Sequence, residues 1–361
     1  MRILALMTDA FAGYGGIAQF NRDLLISFSR SPDVDDVRVL VRLAPEGMAA
    51  CPAKVRQMPA IGNNIGYSLA ALWSCLTFRP DVIFCGHLYH GPLADMLARI
   101  TGAKIVCQLH GTEVWTKLSP HLLRPLDKAD FVGCVSRDTK RRVDLQSTRS
   151  TPNTYVIANT VGEVFVPSDR RAAREKFEIG NEKVILTVAR LDIREGYKGH
   201  DRIIAVLASL QKADRRVIYC IAGQGPDDVR LKALVQAHHV TDLVRFLGKV
   251  PFSDLPDLYR AADVFALPSM GEGFGIVFLE AMGCGTRSIG LAIGGSPDAL
   301  GDGELGDCVS EAEFPAALTR ALDEPRLDPD LLSKGVHSRF GRATFNIRVQ
   351  HLISRLTSPK L

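Results

Sequence analysis

The sequence predicts an α/β protein built from two doubly wound parallel-sheet domains. Three observations carry this reading. Short apolar runs alternate with amphipathic segments, as repeated βαβ units do. The alternation breaks once and then resumes. The chain has 361 residues, 46% of them hydrophobic, which is enough for two domains with separate cores.

The first alternation opens with an apolar strand at residues 3–7. A glycine loop, Gly13-Tyr14-Gly15-Gly16, and a helix over 17–29 follow. Further strands are expected at 37–41, 82–85, 104–109 and 131–135. The break falls at 158–182, where Ala158 to Gly162 is loop-like, Pro167 interrupts regular structure and the charged run 169–176 reads as a surface segment. Strands at 184–188, 217–222, 244–246 and 264–266 come next, with helices at 200–211, 227–237 and 253–261. The expected domains are 1–162 and 163–339, with the amphipathic C-terminal segment 340–361 joining the first. Ligands of such sheets bind outside the carboxyl ends of the strands.

Composition narrows the function classes. The net charge of +4, from 44 basic and 40 acidic residues, is too mild for a nucleic-acid binder. The densest basic cluster, Arg137 to Arg142, reads either as a solvated helix face or as a contact with an anionic membrane surface. The eight cysteines form no Cys-x-x-Cys pair, which favours buried thiols in a reducing compartment. The opening apolar run is too brief for a signal peptide, and the most hydrophobic helix candidate, 69–78, is far short of a membrane span. A cytoplasmic protein, at most peripheral at the inner face of a membrane, is the expectation.

The most informative motif is Gly271-Glu272-Gly273-Phe274-Gly275, followed by a helix-like run from Ile276 to Met282 that contains Glu280. A glycine-preceded helix start gathers unpaired N–H groups and the positive dipole end, which suits a diphosphate. Carboxylates placed there accept hydrogen bonds from hydroxyls. A phosphate seat flanked by two hydroxyl acceptors describes a nucleotide-sugar site. The simpler alternative is a loop acid at Glu272 and a solvated helix residue at Glu280.

Other candidates lie at expected strand ends. Gly15 and Gly16 follow the first strand. His110 closes the strand at 105–109, and His87 and His90 follow the one at 82–85, where a structural role is preferred. Arg190 and Lys198 follow the first strand of the second domain, Lys198 in a glycine-flanked loop, and both suit phosphate oxygens. Each alone also reads as a solvated cation. Gly223 and Gly225 suit either a nucleotide or a tight turn. Asp33-Val34-Asp35 has the letters of a metal-binding pair but sits in a polar connection, and no zinc spacing is present.

Together these residues resemble the family-four retaining glycosyltransferases of the GT-B fold, glycosyltransferase group 1. The match runs in order through Gly15-Gly16, His110, Asn159, Arg190, Lys198, Gly223-x-Gly225, Phe246-Leu247-Gly248, Glu272-x7-Glu280 and Gly294-Gly295, over nearly the whole chain. The resemblance implies two Rossmann-like domains facing a cleft, an acceptor side in the first and a donor side in the second. It implies that Gly16 approaches the donor diphosphate and that His110 contacts the transferred sugar. Arg190 and Lys198 would hold the leaving diphosphate. Glu272 would bind sugar hydroxyls, with Phe274, Gly275 and Ile276 offering backbone N–H groups. Glu280 would bind the ribose, and the backbone around Val250 would read the base. Three departures stand out: Thr160 after Asn159, Ser296-Pro297-Asp298 after Gly294-Gly295, and Gly285-Thr286-Arg287-Ser288 in place of an apolar stretch.

The implied reaction is hexosyl transfer from a nucleoside diphosphate sugar to an acceptor hydroxyl with retention, without metal or other cofactor. The acceptor by analogy is a lipid-linked saccharide of envelope or exopolysaccharide synthesis. A GT-B nucleotide-sugar epimerase and a non-catalytic nucleotide-sugar binding protein are the alternatives.

Overall fold

The computed structural model describes residues 1–357 apart from 12, 14, 46, 48–49, 150–152 and 213–215. Tyr14 of the glycine loop and the last four residues of segment 340–361 thus lie outside the described residues. The chain divides into two compact units. The first comprises Met1–Thr160 together with the segment from Ala343, the second Val161–Arg342.

The first unit is built on a parallel sheet of β1 (Arg2–Met7), β2 (Asp36–Val41), β3 (Val55–Gln57), β4 (Val82–Cys85), β5 (Lys104–Leu109), β6 (Phe131–Cys134) and β7 (Thr154–Val156). Their spatial order is β3-β2-β1-β4-β5-β6-β7. β1 therefore pairs with β2 on one side and β4 on the other, and the strand order reverses there. The strand interiors are buried on both faces, which is why they read as continuous apolar runs rather than alternating ones. Helix Gly16–Arg30 follows β1, helix Asn64–Phe78 follows β3, and helix Gly91–Thr101 lies between β4 and β5. Asn63 starts the second of these by accepting the Gly66 N–H.

The C-terminal helix, Arg342–Thr357, packs in this unit. Ser27 donates to Asn346 Oδ1 at 2.7 Å, Phe20 meets Phe345 edge-on with ring centroids 5.9 Å apart, and Lys104 Nζ donates to the Leu356 carbonyl at 2.6 Å. Residues 340 and 341 are not part of it. Phe340 ends a separate helix, Pro329–Phe340, which the sequence reading did not distinguish.

The second unit repeats the plan with β8 (Lys183–Val188), β9 (Val217–Ala222), β10 (Val244–Gly248), β11 (Val264–Leu267), β12 (Arg287–Leu291) and β13 (Asp307–Val309), in the order β10-β9-β8-β11-β12-β13. Strand order reverses between β8 and β11. Their pairing covers Ile185 with Val264 and Leu186 with Phe265, two residues short of both strand ends. The ends diverge, so a crevice opens where the doubly wound architecture places ligands.

One expectation needs correction. The run 169–176 is the helix Arg170–Lys176, N-capped by Asp169, and it is not merely a surface segment: Arg170 and Arg174 turn onto buried Asp263 at 2.9 and 3.4 Å. Arg137 to Arg142 lie on helix Arg137–Asp144, where Lys140 pairs with Asp144 and Arg141 and Arg142 pair with Asp138. Carboxylates of the same helix thus offset much of that basic run. Among the described residues, no helix is long and apolar enough to cross a membrane.

Candidate active site

The clearest constellation lies at the β8–β11 reversal in the second unit. Beyond β8 the chain passes Arg190 and enters a 3-10 turn, Ile193–Lys198, which Asp192 starts by accepting the Arg194 N–H. Gly199 then adopts φ +85°, and a Cβ there would meet the Pro268 carbonyl oxygen at 2.2 Å. Glycine is required for this approach. It brings the Lys198 loop against the loop after β11, and the Met270 N–H donates to the Tyr197 carbonyl at 2.8 Å. The result is an ion pair between residues 74 positions apart: Lys198 Nζ donates to Glu272 Oε1 at 2.7 Å. Both side chains are largely buried, 16% and 9% exposed. Burial alone pushes the Lys198 ammonium down, but the charge and hydrogen bond of Glu272 outweigh it and hold its pKa above the ordinary value. Lys198 is therefore not the solvated loop cation of the simpler reading.

Glu272 is itself held from behind. The Gly295 N–H donates to the Glu272 carbonyl at 2.8 Å. A Cβ on Gly295 would stand 2.1 Å from the Gly273 carbonyl oxygen, and one on Gly294 2.7 Å from that of Glu272. Gly294-Gly295 is thus a backbone buttress for the acidic loop. Gly275, left-handed at φ 92°, caps helix Ile276–Gly283, whose first turn carries no acid. The Phe274 ring is buried against Phe340, centroids 5.8 Å apart, so its side chain anchors the loop in the core.

Glu280 sits in the second turn of this helix. It is buried, not solvated, and its Oε2 accepts the Tyr259 hydroxyl at 2.8 Å. Burial and the neighbouring carboxylate push the Tyr259 hydroxyl well above its ordinary pKa, so it stays a donor. Tyr259 was not legible as a partner, because nothing local marks a contact 21 residues away. Beneath Lys198, a buried chain of polar groups ties β8, β9 and β11 together. Thr187 donates to the Ala266 carbonyl at 2.6 Å, Tyr219 donates to Thr187 at 2.9 Å, and His200 Nδ1 meets the Tyr219 hydroxyl at 2.8 Å.

Other residues of this unit have different partners. Arg190 has a side chain 76% exposed and pairs with Glu195, a residue the sequence reading did not single out. Gly223 and Gly225 are explained by packing: a Cβ on either would strike the Ala189 or Leu191 carbonyl oxygen, at 1.8 and 2.2 Å. Val250 is half-buried in the loop after β10, next to Gly248, whose carbonyl accepts the Gly223 N–H at 2.8 Å. Arg287 is a structural clip, bound to Asp307 at 2.7 Å and to Glu324.

In the first unit, Gly15 caps and Gly16 opens the helix after β1, both exposed. His110, at the end of β5, is buried, and its Nε2 lies 2.9 Å from the Gly86 carbonyl, so that nitrogen carries the proton. Its backbone N–H donates to Glu113, and its ring stacks on His87 with centroids 6.2 Å apart. Burial pushes the His110 pKa down, and the opposing pull of Glu113 does not restore it. Asn159 follows β7, buried, with no hydrogen-bond partner for its Oδ1 among the described residues. Among the described residues no three His, Cys, Asp or Glu side chains are grouped to hold a metal ion.

This fold and strand-end constellation define a Rossmann-type pair of units with a phosphate-suited loop in the second. Residues 169–335, inside the second unit, match the family model of glycosyl transferases group 1. It is 33% identical over 254 residues to the GDP-mannose-dependent alpha-(1-6)-phosphatidylinositol monomannoside mannosyltransferase of Mycolicibacterium smegmatis, covering 66% of this chain and 65% of that one. It is 32% identical over 204 residues to the D-inositol 3-phosphate glycosyltransferase of Geodermatophilus obscurus, covering 54% and 44%. The chain thus spans less than two thirds of the length of these relatives. Sucrose-phosphate synthase from Thermosynechococcus elongatus superimposes with a TM-score of 0.83 over 99% of both chains at 20% identity. HepE of Anabaena, solved with UDP-glucose, gives 0.76 over 98% and 99% at 20% identity. The fold is GT-B.

Proposed function

We propose that this chain transfers a hexosyl unit from a nucleoside diphosphate sugar to an acceptor hydroxyl, with retention of anomeric configuration. The observation that carries the reading is the Lys198–Glu272 pair across the diverging ends of β8 and β11, beside the N-terminus of helix Ile276–Gly283. The diphosphate is seated at that N-terminus, in reach of Lys198, with Arg190 supplying a second cation from the exposed loop. Glu272 then accepts hydrogen bonds from sugar hydroxyls, and Glu280, oriented by Tyr259, accepts from the ribose. Gly223 and the backbone at Val250 border the nucleotide. Gly15, Gly16, His110 and Asn159 are the candidate substrate-contacting residues of the first unit.

The acceptor proton passes to the leaving phosphate, and the two cations offset the charge that develops there, so no resident metal or other cofactor is required. The names of the relatives support an acceptor of the lipid-linked or inositol type, and that of the M. smegmatis enzyme supports a GDP-mannose donor. We place the protein in the cytoplasm because its scattered cysteines, without a Cys-x-x-Cys pair, suit a reducing compartment. The test is release of nucleoside diphosphate from GDP-mannose, UDP-glucose and UDP-N-acetylglucosamine, with and without a phosphatidylinositol mannoside or polyprenyl-linked acceptor. Product anomers are read by NMR. Inverted product contradicts retention, proton exchange into donor alone favours an epimerase, and binding without turnover favours a non-catalytic role.

A further inference from the structure

The segment that follows His110 forms one wall of a cavity for which the proposed reaction has no use. The cavity lies within the first unit, between that segment and helix Arg137–Asp144, and its volume is about 480 Å³. Small-ligand sites run from roughly 300 to 1,000 Å³. One side chain builds the wall. Gln146, just past the helix, accepts the Leu118 N–H at 2.7 Å and donates to the Val114 carbonyl at 3.3 Å and the Thr116 carbonyl at 3.5 Å. Val114 and Leu118 are buried and anchor the segment in the core. Residues 114–118 are thereby fixed as a rim instead of collapsing onto the helix.

The lining combines an aromatic ring with cations. Half-buried Trp115 and exposed Lys117 come from the rim, Arg141 and Arg142 from the helix. Asp138 accepts from Arg141 Nη2 at 2.8 Å and from Arg142 Nε at 2.6 Å. Each guanidinium has further N–H groups to offer. One carboxylate against three cations leaves the cavity positive, and among the described residues no acidic side chain lines it. The wall continues through Glu113, which accepts the His110 N–H at 3.1 Å, so the cavity adjoins His110 along the chain.

We propose that this cavity binds an anionic pyranoside, either a uronate or a sugar phosphate. The lining selects this class. The C–H face of a pyranose packs on the indole, while its anionic group meets the lysine and arginines through charge-assisted hydrogen bonds. A neutral sugar would leave the cations unmatched, and a bare phosphate would leave the indole uncovered. The inference rests on this cavity alone and is independent of the reaction proposed above.

The test uses Trp73→Phe protein, which leaves Trp115 as the sole tryptophan. Its emission is titrated with methyl β-D-glucuronide, D-glucose 6-phosphate, methyl β-D-glucoside and inorganic phosphate. At least one of the first two should change the emission saturably, binding about tenfold or more tightly than the glucoside or phosphate. A preference for the glucuronide assigns the site to a glycan unit, and a preference for the phosphate ester assigns it to a free sugar phosphate. In the otherwise unaltered chain, followed by ligand-observed NMR, Lys117→Gln should weaken binding about fivefold and Trp115→Ala about tenfold. Lys140→Gln should change nothing, because that ammonium pairs with Asp144 and does not line the cavity. Should Trp115→Ala fail to fold, Arg141→Gln reads the same cavity. Binding of neither anionic sugar overturns the proposal. So does equally tight binding of the glucoside or of bare phosphate, or undiminished binding in Lys117→Gln together with Trp115→Ala or Arg141→Gln.

Discussion

Lys198 and Glu272 are the side chains on which the chemistry turns, and their burial alters what substitution should do. An exposed loop lysine could be removed at little cost to folding. Here Lys198→Ala leaves the buried Glu272 carboxylate without its cation, so we expect a stability loss of about 3–5 kcal/mol in urea unfolding. Turnover should fall on the order of tenfold to a thousandfold if Lys198 also offsets the leaving phosphate. Lys198→Met combined with Glu272→Gln should cost much less stability than the sum of the single changes, yet restore no activity. Additive losses would show that the pair is not coupled.

Histidine burial gives a second expectation at this scale. Burial pushes His200 down to about 4 and His90 to about 3. Unfolded imidazoles take up protons below about 6.5, so folding opposes protonation of these rings. Their contribution is therefore full above pH 6.5 and is lost as pH falls toward the folded values, by up to about 1.4 kcal/mol per pH unit per ring. Urea stability should drop between pH 7 and 5, and His200→Gln should flatten that slope. An unchanged slope would remove His200 from the account.

At the scale of elements, the acidic loop and its helix act as a unit held by backbone contacts. Gly295→Ala would place a methyl 2.1 Å from the Gly273 carbonyl oxygen, with backbone on both sides, so the Glu272 loop must shift. We expect donor binding to weaken by about tenfold or more while the unit stays folded, since a displacement of about an ångström is costly at such sites. Saturation binding of the donor, with circular dichroism as control, checks this. Normal affinity would show that the buttress does not position the loop.

The same scale shows what the sequence disclosed. Strands such as Val217–Ala222 were legible because both faces are covered and every residue is apolar. β3, β7, β12 and β13 were missed because they are short or carry polar and glycine residues, as Arg-Ser-Ile-Gly-Leu does in β12. Glu272 and Glu280 were legible because their motif is local. Their partners Lys198 and Tyr259 lie 74 and 21 residues away, and only strand order brings them into contact. Gly223 and Gly225 drew attention as a ligand loop, yet adjacent carbonyls suffice to require them.

At the scale of the whole molecule, two similar sheets divide the candidate residues, with the phosphate-suited loop and both glutamates in the second unit. If its lysine and arginine offset the diphosphate, activity should survive exhaustive chelation. Loss of turnover restored specifically by magnesium or manganese would defeat that expectation.

The central claim is that the second unit seats a nucleoside diphosphate, with Glu280 at the ribose and Glu272 at the sugar. Calorimetric titration of the free diphosphates of uridine, guanosine and adenosine into wild type, Glu280→Gln and Glu272→Gln tests it most directly. At least one diphosphate should bind wild type. Glu280→Gln should weaken it by roughly 10- to 100-fold, as loss of hydrogen bonds to a charged group implies. Glu272→Gln should bind the same diphosphate as tightly or more tightly, because Lys198 is then released from its carboxylate partner. Binding of none of the three, or unaltered binding in Glu280→Gln, would contradict the account.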